Sequence, residues 1–225
     1  MNVIKWIVTN GCKFGLRVLC RVHNEEMKKI QPSGPLILYS NHTGSIEAPI
    51  FYGELAPRPV TGLAKIESWD NWLINRVFTI WNLIPIRRGQ SDMDAMRAAL
   101  GALEQNNILG IAPEGTRNRT GGLLRAKPGI VMIATHSDAP LQAIAHWGGE
   151  HFRENLKRFK RTDFHIRVGP VFHLDARGAR VTKEIRQQMA DEMMYQLAKL
   201  LPLEYRGEYA DLENATEEYL RFVTN

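Results

Sequence analysis

Apolar residues recur along the chain in two alternating patterns. Short apolar runs at 36–40, 83–87, 108–112, 139–146 and 165–174 predict strands, the first of them directly after the turn residues Gln31-Pro32-Ser33-Gly34-Pro35. Between them lie helical repeats. Residues 48–55 predict a helix with Pro49 near its start, where proline is tolerated. Residues 67–81 predict a tryptophan-rich helix. Residues 91–105 place Met93, Met96, Ala99, Leu100 and Leu103 at helical spacing, with Ser91 as the expected N-cap. Residues 129–136 predict a further helix, and 182–201 a long one that Pro202 stops. Strands alternating with helices predict an α/β domain: a mixed sheet flanked by helices.

The N-terminal pattern is different. Residues 1–24 hold Lys5, Lys13, Arg17 and Arg21 and no acid. On one helix, Ile4, Ile7, Val8, Phe14, Val18, Leu19 and Val22 share a broad apolar face, and Lys13, Arg17 and Arg21 climb a flank at i, i+4 spacing. Lys13 and Arg17 interrupt the uncharged core that a signal peptide or a spanning helix of about 20 residues needs. The pattern fits a helix lying in a membrane interface with its cations toward anionic headgroups; the alternative is an amphipathic helix packed on its own domain. The expected organisation is therefore a membrane-associating segment, 1–30, and the α/β domain, 31–225.

Composition narrows the partners less than the pattern does. The 225 residues carry a net charge of +5, and the pI is about 9.3. That suits nucleic acid, an anionic membrane or a phosphorylated substrate, but no nucleic-acid motif accompanies the charge. The two cysteines, Cys12 and Cys20, form no ligand pair and point to a reducing, cytosol-facing setting. The histidines show no metal-ligand spacing, so no metal is expected.

Four polar segments follow the predicted strands or open a helix. In Asn41-His42-Thr43-Gly44-Ser45-Ile46-Glu47, His42 and Glu47 are five apart, about 140° of rotation on a continuous helix. They can meet only if Thr43-Gly44 turns before a helix begins. A carboxylate on one imidazole nitrogen would then leave the other free as a base. Arg87 and Arg88 leave a strand into Gly89 and offer a phosphate fork. Pro113-Glu114-Gly115-Thr116-Arg117 follows an apolar strand, with Arg117 a phosphate ligand and Glu114 a partner for an acceptor hydroxyl. Lys127 precedes a predicted helix start, where anions are favoured. No Gly-x-Ser-x-Gly elbow supports a serine hydrolase.

In this order the segments resemble the glycerolipid acyltransferase family, which includes the 1-acyl-glycerol-3-phosphate (lysophosphatidate) acyltransferases. The likeness rests on Asn41-His42 with Glu47, Ile86-Arg87-Arg88-Gly89, Pro113 to Arg117, Lys127-Pro128-Gly129, Ala139-Pro140-Leu141 and the tail from Leu201 to Gly207. The family's acid is normally Asp; here it is Glu47. The resemblance implies direct acyl transfer from acyl-CoA or acyl carrier protein to a lysophospholipid hydroxyl, with no other cofactor. His42 would be the general base and Glu47 its orienting acid. Arg87, Arg88, Glu114, Gly115, Thr116, Arg117 and Lys127 would hold the acceptor. Backbone N–H groups around Gly44 are candidate oxyanion donors. A peripheral protein on the cytosolic membrane face is expected; the alternative is a weak or inactive member that only binds anionic membrane.

Overall fold

Leu36–Tyr39 is buried at every position, which only a strand covered on both faces can be. The computed structural model describes residues 3–87 and 92–223. In chain order its elements are α1 (Val3–Leu19), β1 (Cys20–His23), β2 (Leu36–Tyr39), α2 (Glu47–Leu55), β3 (Val60–Lys65), α3 (Trp72–Ile80), β4 (Ile84–Ile86) and α4 (Met93–Glu104). There follow β5 (Ile108–Ile111), α5 (Gly129–Ser137), β6 (Leu141–Trp147), α6 (Phe152–Lys157), β7 (Thr162–Leu174), α7 (Lys183–Leu200) and β8 (Leu220–Phe222), with short 3₁₀ turns between.

The strands form one sheet in the order β1-β7-β6-β2-β5-β3-β4, with β8 on β7. β6, β2, β5, β3 and β4 run parallel. β7 is antiparallel to β6, and its other edge carries β1 at one end and β8 at the other. The mixed α/β sheet expected from the sequence is present. Period-2 alternation divides the core. Ile37, Tyr39, Leu109 and Leu141 pack with α4, α5 and α7 on one face. Leu36, Leu38, Ile108 and Phe164 pack with α2, Trp81 and Cys20 on the other. At the β3–β5 contact, Gly62 lies opposite Gly110. A Cβ on Gly62 would meet Gly110 O at 3.1 Å, so the close strand approach there favours glycine.

Three expectations are corrected. The N-terminal helix does not continue through residue 24: it stops at Leu19, and Cys20–His23 pairs in parallel with 162–165. The segment 1–30 thus shares the sheet of 31–225. The stretch 67–81 is a 3₁₀ turn, Ile66–Asp70, followed by α3. The N-cap of α4 is Asp92, whose side chain accepts from Ala95 N; Ser91 lies outside the described residues.

α1 keeps its apolar stripe outward, as expected of an interfacial helix, but its cations Lys13 and Arg17 turn to the domain. The side that carries Thr9, Cys12, Lys13 and Leu16 faces the domain. Trp81 Nε1 donates to Thr9 at 3.1 Å, and Lys13 Nζ to Gly53 O at 3.1 Å. The Glu54 carboxylate, 7% exposed, takes Lys13 at 3.3 Å and Arg17 at 3.0 Å. Arg21 reaches Asp163. The apolar stripe faces out: Val3 is 71% exposed, Ile7 56%, Phe14 73% and Val18 56%. Among the described residues no helix is long and apolar enough to cross a membrane.

Candidate active site

The parallel strands bring their C-terminal ends to one edge of the sheet, where open α/β sheets place their sites. The loop after β2 carries His42, and the loop after β5 carries Glu114 to Arg117. The turn at Thr43-Gly44 does what the spacing required. His42 Nδ1 lies 2.6 Å from Glu47 Oε1, with Glu47 at the first position of α2. Gly44 N–H donates to the same oxygen at 3.1 Å, so it is not free as an oxyanion donor. Burial is the largest single influence and raises the Glu47 carboxyl, but the hydrogen bond with His42, the nearby imidazoles and a backbone N–H together outweigh it and bring the carboxyl down to about 2. An ionised Glu47 accepts, so Nδ1 carries the imidazole proton and Nε2 presents its lone pair. Arg117 Nε donates to that lone pair at 3.3 Å.

The backbone of His42 is fixed on both sides. Its N–H donates to Glu114 Oε1 at 2.9 Å, and its carbonyl accepts from Asn118 N at 2.8 Å. The other Glu114 oxygen accepts from Leu124 N at 3.0 Å. Glu114 is 2% exposed. It therefore ties two loops together and does not face an acceptor hydroxyl, contrary to the sequence expectation. Burial raises its carboxyl to about 7, with the two backbone N–H donors opposing.

Asn41 anchors the loop from behind. Its side-chain amide donates to His146 O at 2.8 Å and accepts from His146 N at 3.0 Å, while its own carbonyl lies 2.8 Å from His146 Nε2. A carbonyl only accepts, so Nε2 is the protonated nitrogen. Full burial lowers the pKa of His146 and keeps it neutral. Its ring stacks on Phe164 with centroids 5.2 Å apart. Sequence reasoning passed over His146; the signal was its place at the end of an apolar strand run, Ala143-Ile144-Ala145.

The remaining expected residues divide. Gly115 needs its glycine: φ is +68°, and a Cβ would meet Lys127 Cγ at 3.3 Å. Lys127 N bonds Pro113 O at 2.8 Å, which sets the exposed Lys127 stem over Gly115. Thr116 and Arg117 are exposed beside it. Arg87 leaves β4 on the same edge, but three strand spacings from β2, about 14 Å. Arg88 lies outside the described residues. The tail closes the far wall. Tyr205 O accepts from Leu123 N at 3.1 Å and Leu123 O from Glu208 N at 3.0 Å, while Tyr205 OH donates to Glu150 at 2.6 Å.

Residues 20–147 match the model of the Acyltransferase family. A 1-acyl-sn-glycerol-3-phosphate acyltransferase of Limnanthes douglasii is 35% identical over 108 residues, 47% of this chain and 38% of that protein. The human 1-acyl-sn-glycerol-3-phosphate acyltransferase beta is 26% identical over 71% of this chain and 57% of its own length. The chain thus spans about half the length of these relatives. The crystal structure of a 1-acyl-sn-glycerophosphate acyltransferase from Thermotoga maritima shares the fold, with a TM-score of 0.61 at 19% identity over 84% of this chain and 78% of that one. The family match covers more than half of the 225 residues and ends on β6, the strand that clamps the His42 loop; the chain belongs to the Acyltransferase family.

Proposed function

We propose that this protein transfers a fatty acyl group from an acyl thioester, acyl-CoA or acyl carrier protein, to the hydroxyl of a lysophosphatidate-like acceptor at an anionic membrane surface. The observation that carries the reading is the His42–Glu47 contact, which leaves Nε2 as a lone pair in reach of a cation. His42 Nε2 takes the acceptor's hydroxyl proton as its oxygen attacks the thioester carbonyl. Glu47 stabilises the imidazolium so formed. Collapse of the tetrahedral intermediate breaks the carbon–sulfur bond, and the leaving thiolate takes the proton from Nε2. The products are an ester and a free thiol. Arg117 and Lys127 hold the acceptor phosphate. The outward apolar stripe of α1 supports attachment to the membrane face as a peripheral protein.

Free-thiol release from acyl-CoA, and from acylated carrier protein in parallel, tests this with and without lysophosphatidate. Release should depend on the acceptor and fall at least ~10²-fold in a folded His42→Ala protein. Arg117→Ala should chiefly raise the KM for the phosphate-bearing acceptor, by roughly 2 kcal/mol of lost charged contact. Near-normal turnover in His42→Ala would rule out the mechanism, and wild-type protein that binds vesicles without releasing thiol would be a binding protein only.

A further inference from the structure

The connection from β6 to β7 carries a feature that the acyl-transfer site does not use. α6 runs into Lys157-Arg158-Phe159-Lys160-Arg161 immediately before β7 begins at Thr162. Phe159 is 99% exposed, and Leu156 beside it is 46% exposed. Phe159 also has φ +53°, a left-handed conformation that costs a residue bearing a Cβ and that turns ordinarily assign to Gly or Asn. The turn is built rather than loose: Phe159 N bonds Leu156 O at 3.2 Å and Lys160 N bonds Asn155 O at 2.9 Å. The fold therefore holds a bare aromatic ring in water on an unfavourable backbone.

Its surroundings are basic and apolar. Lys157, Arg158, Lys160 and Arg161 are all exposed. The two nearby acids are already engaged, Glu154 by Arg158 and Asp163 by Arg21. Arg161 donates to Arg17 O at 2.6 Å and Cys20 O at 2.7 Å, at the end of α1 where Phe14 and Val18 face outward. The turn and the apolar stripe are thus contiguous. Because β7 is antiparallel to β6, its first residues lie at the sheet edge that carries the His42 loop. Two strand spacings, about 10 Å, separate β7 from β2.

We propose that the 156–161 turn is a second point of attachment to an anionic lipid surface, with Phe159 entering the acyl boundary and Lys157 and Lys160 meeting headgroups. A single ring so fully exposed suits a fluid apolar phase, and the cations match its anionic rim. Attachment here and along α1 turns the catalytic edge of the sheet toward the lipid that supplies the acceptor. The inference rests on the membrane-surface reading above and deepens it.

The full chain is tested by flotation with vesicles containing phosphatidylglycerol and with vesicles of phosphatidylcholine alone. Phe159→Gly relieves the backbone, so its melting temperature should equal or exceed that of the wild type, while its vesicle affinity falls about tenfold. Phe159→Trp should bind at least as well as wild type. The double variant Lys157→Glu, Lys160→Glu should lose affinity for the phosphatidylglycerol vesicles alone. Acyl transfer to a short-chain acceptor in solution, read separately, should be unchanged in all three; its absence in the wild type would sink the acyltransferase reading and leave the lipid contact to be judged by flotation. Undiminished flotation of Phe159→Gly overturns the proposal. So does a result in which the double variant keeps its vesicle affinity but raises the KM for acylated carrier protein, which would make the turn a dock for an acidic protein. Wild-type protein that fails to float overturns it as well.

Discussion

His42 is held at its ring by Glu47 and at its backbone by Glu114 and Asn118, and these contacts make different predictions. Glu47→Gln removes the negative charge that stabilises the imidazolium, so turnover should drop about 10²-fold. Glu47→Asp keeps the charge on a shorter arm and should retain activity within about tenfold. Equal turnover in Glu47→Gln and wild type would remove the carboxylate from the mechanism. Glu47 is ionised well below its usual 4.5, so its contribution to stability persists above that value and is lost as pH falls from 4.5 toward 2. Glu114 behaves oppositely. Its folded-state value of about 7 lies above the ordinary 4.5, so the folded state holds a proton that the unfolded chain has released between those values. Stability relative to Glu114→Gln should decline as pH rises from 4.5 to 7, by about 3 kcal/mol at most, and level off above. Urea unfolding of both proteins across that range reads the difference; a flat difference would mean the buried carboxyl titrates normally. The meeting of His42 with Glu47 and Arg117 was legible because their types and spacing report chemistry. Glu114 was legible as a site residue but not in its role, because sequence does not show that its two oxygens meet backbone N–H groups of separate loops. Asn41–His146 joins positions 105 apart, beyond the reach of any local pattern.

At the level of elements, α1 shows why an amphipathic pattern does not determine its own orientation. The sequence separates an apolar stripe from a cationic flank, but partners from distant segments, Gly53, Glu54 and Trp81, decide which side docks. The consequence is testable. Because the stripe is exposed, Phe14→Asp should leave the melting temperature nearly unchanged while weakening vesicle flotation severalfold or more. A marked loss of thermal stability would show instead that the stripe packs on protein. Deleting residues 1–22 is a poor test of attachment, since it also removes most of β1 and leaves the start of β7 unpaired on that edge. The strands of even apolar character, β2, β5 and β6, were readable from sequence to within one or two residues. β1, β3 and β8 were not: Cys20-Arg21-Val22-His23 continues the helical spacing of the cations before it, β3 is interrupted by Gly62, and β8 is three residues long.

Taken whole, the molecule places its chemistry at one sheet edge and its supports behind it. The alternation of strands and helices carried enough information for the α/β class, because layers follow from which faces are apolar. Strand order did not follow, because it depends on pairings such as β1 with β7, whose partners lie 142 residues apart. That pairing also bears on biosynthesis. Chains are made at about 5–20 residues per second, so the β1 segment waits on the order of ten seconds for the strand that receives it. Glu54 and Trp81 emerge sooner, and so α1 meets its own anchors while the sheet is still incomplete. During that interval the helix already displays the apolar stripe that the finished protein displays. If the stripe is the lipid contact proposed above, a nascent chain can settle on a bilayer before the sheet edge that carries His42 has been assembled, and folding and attachment become a single event.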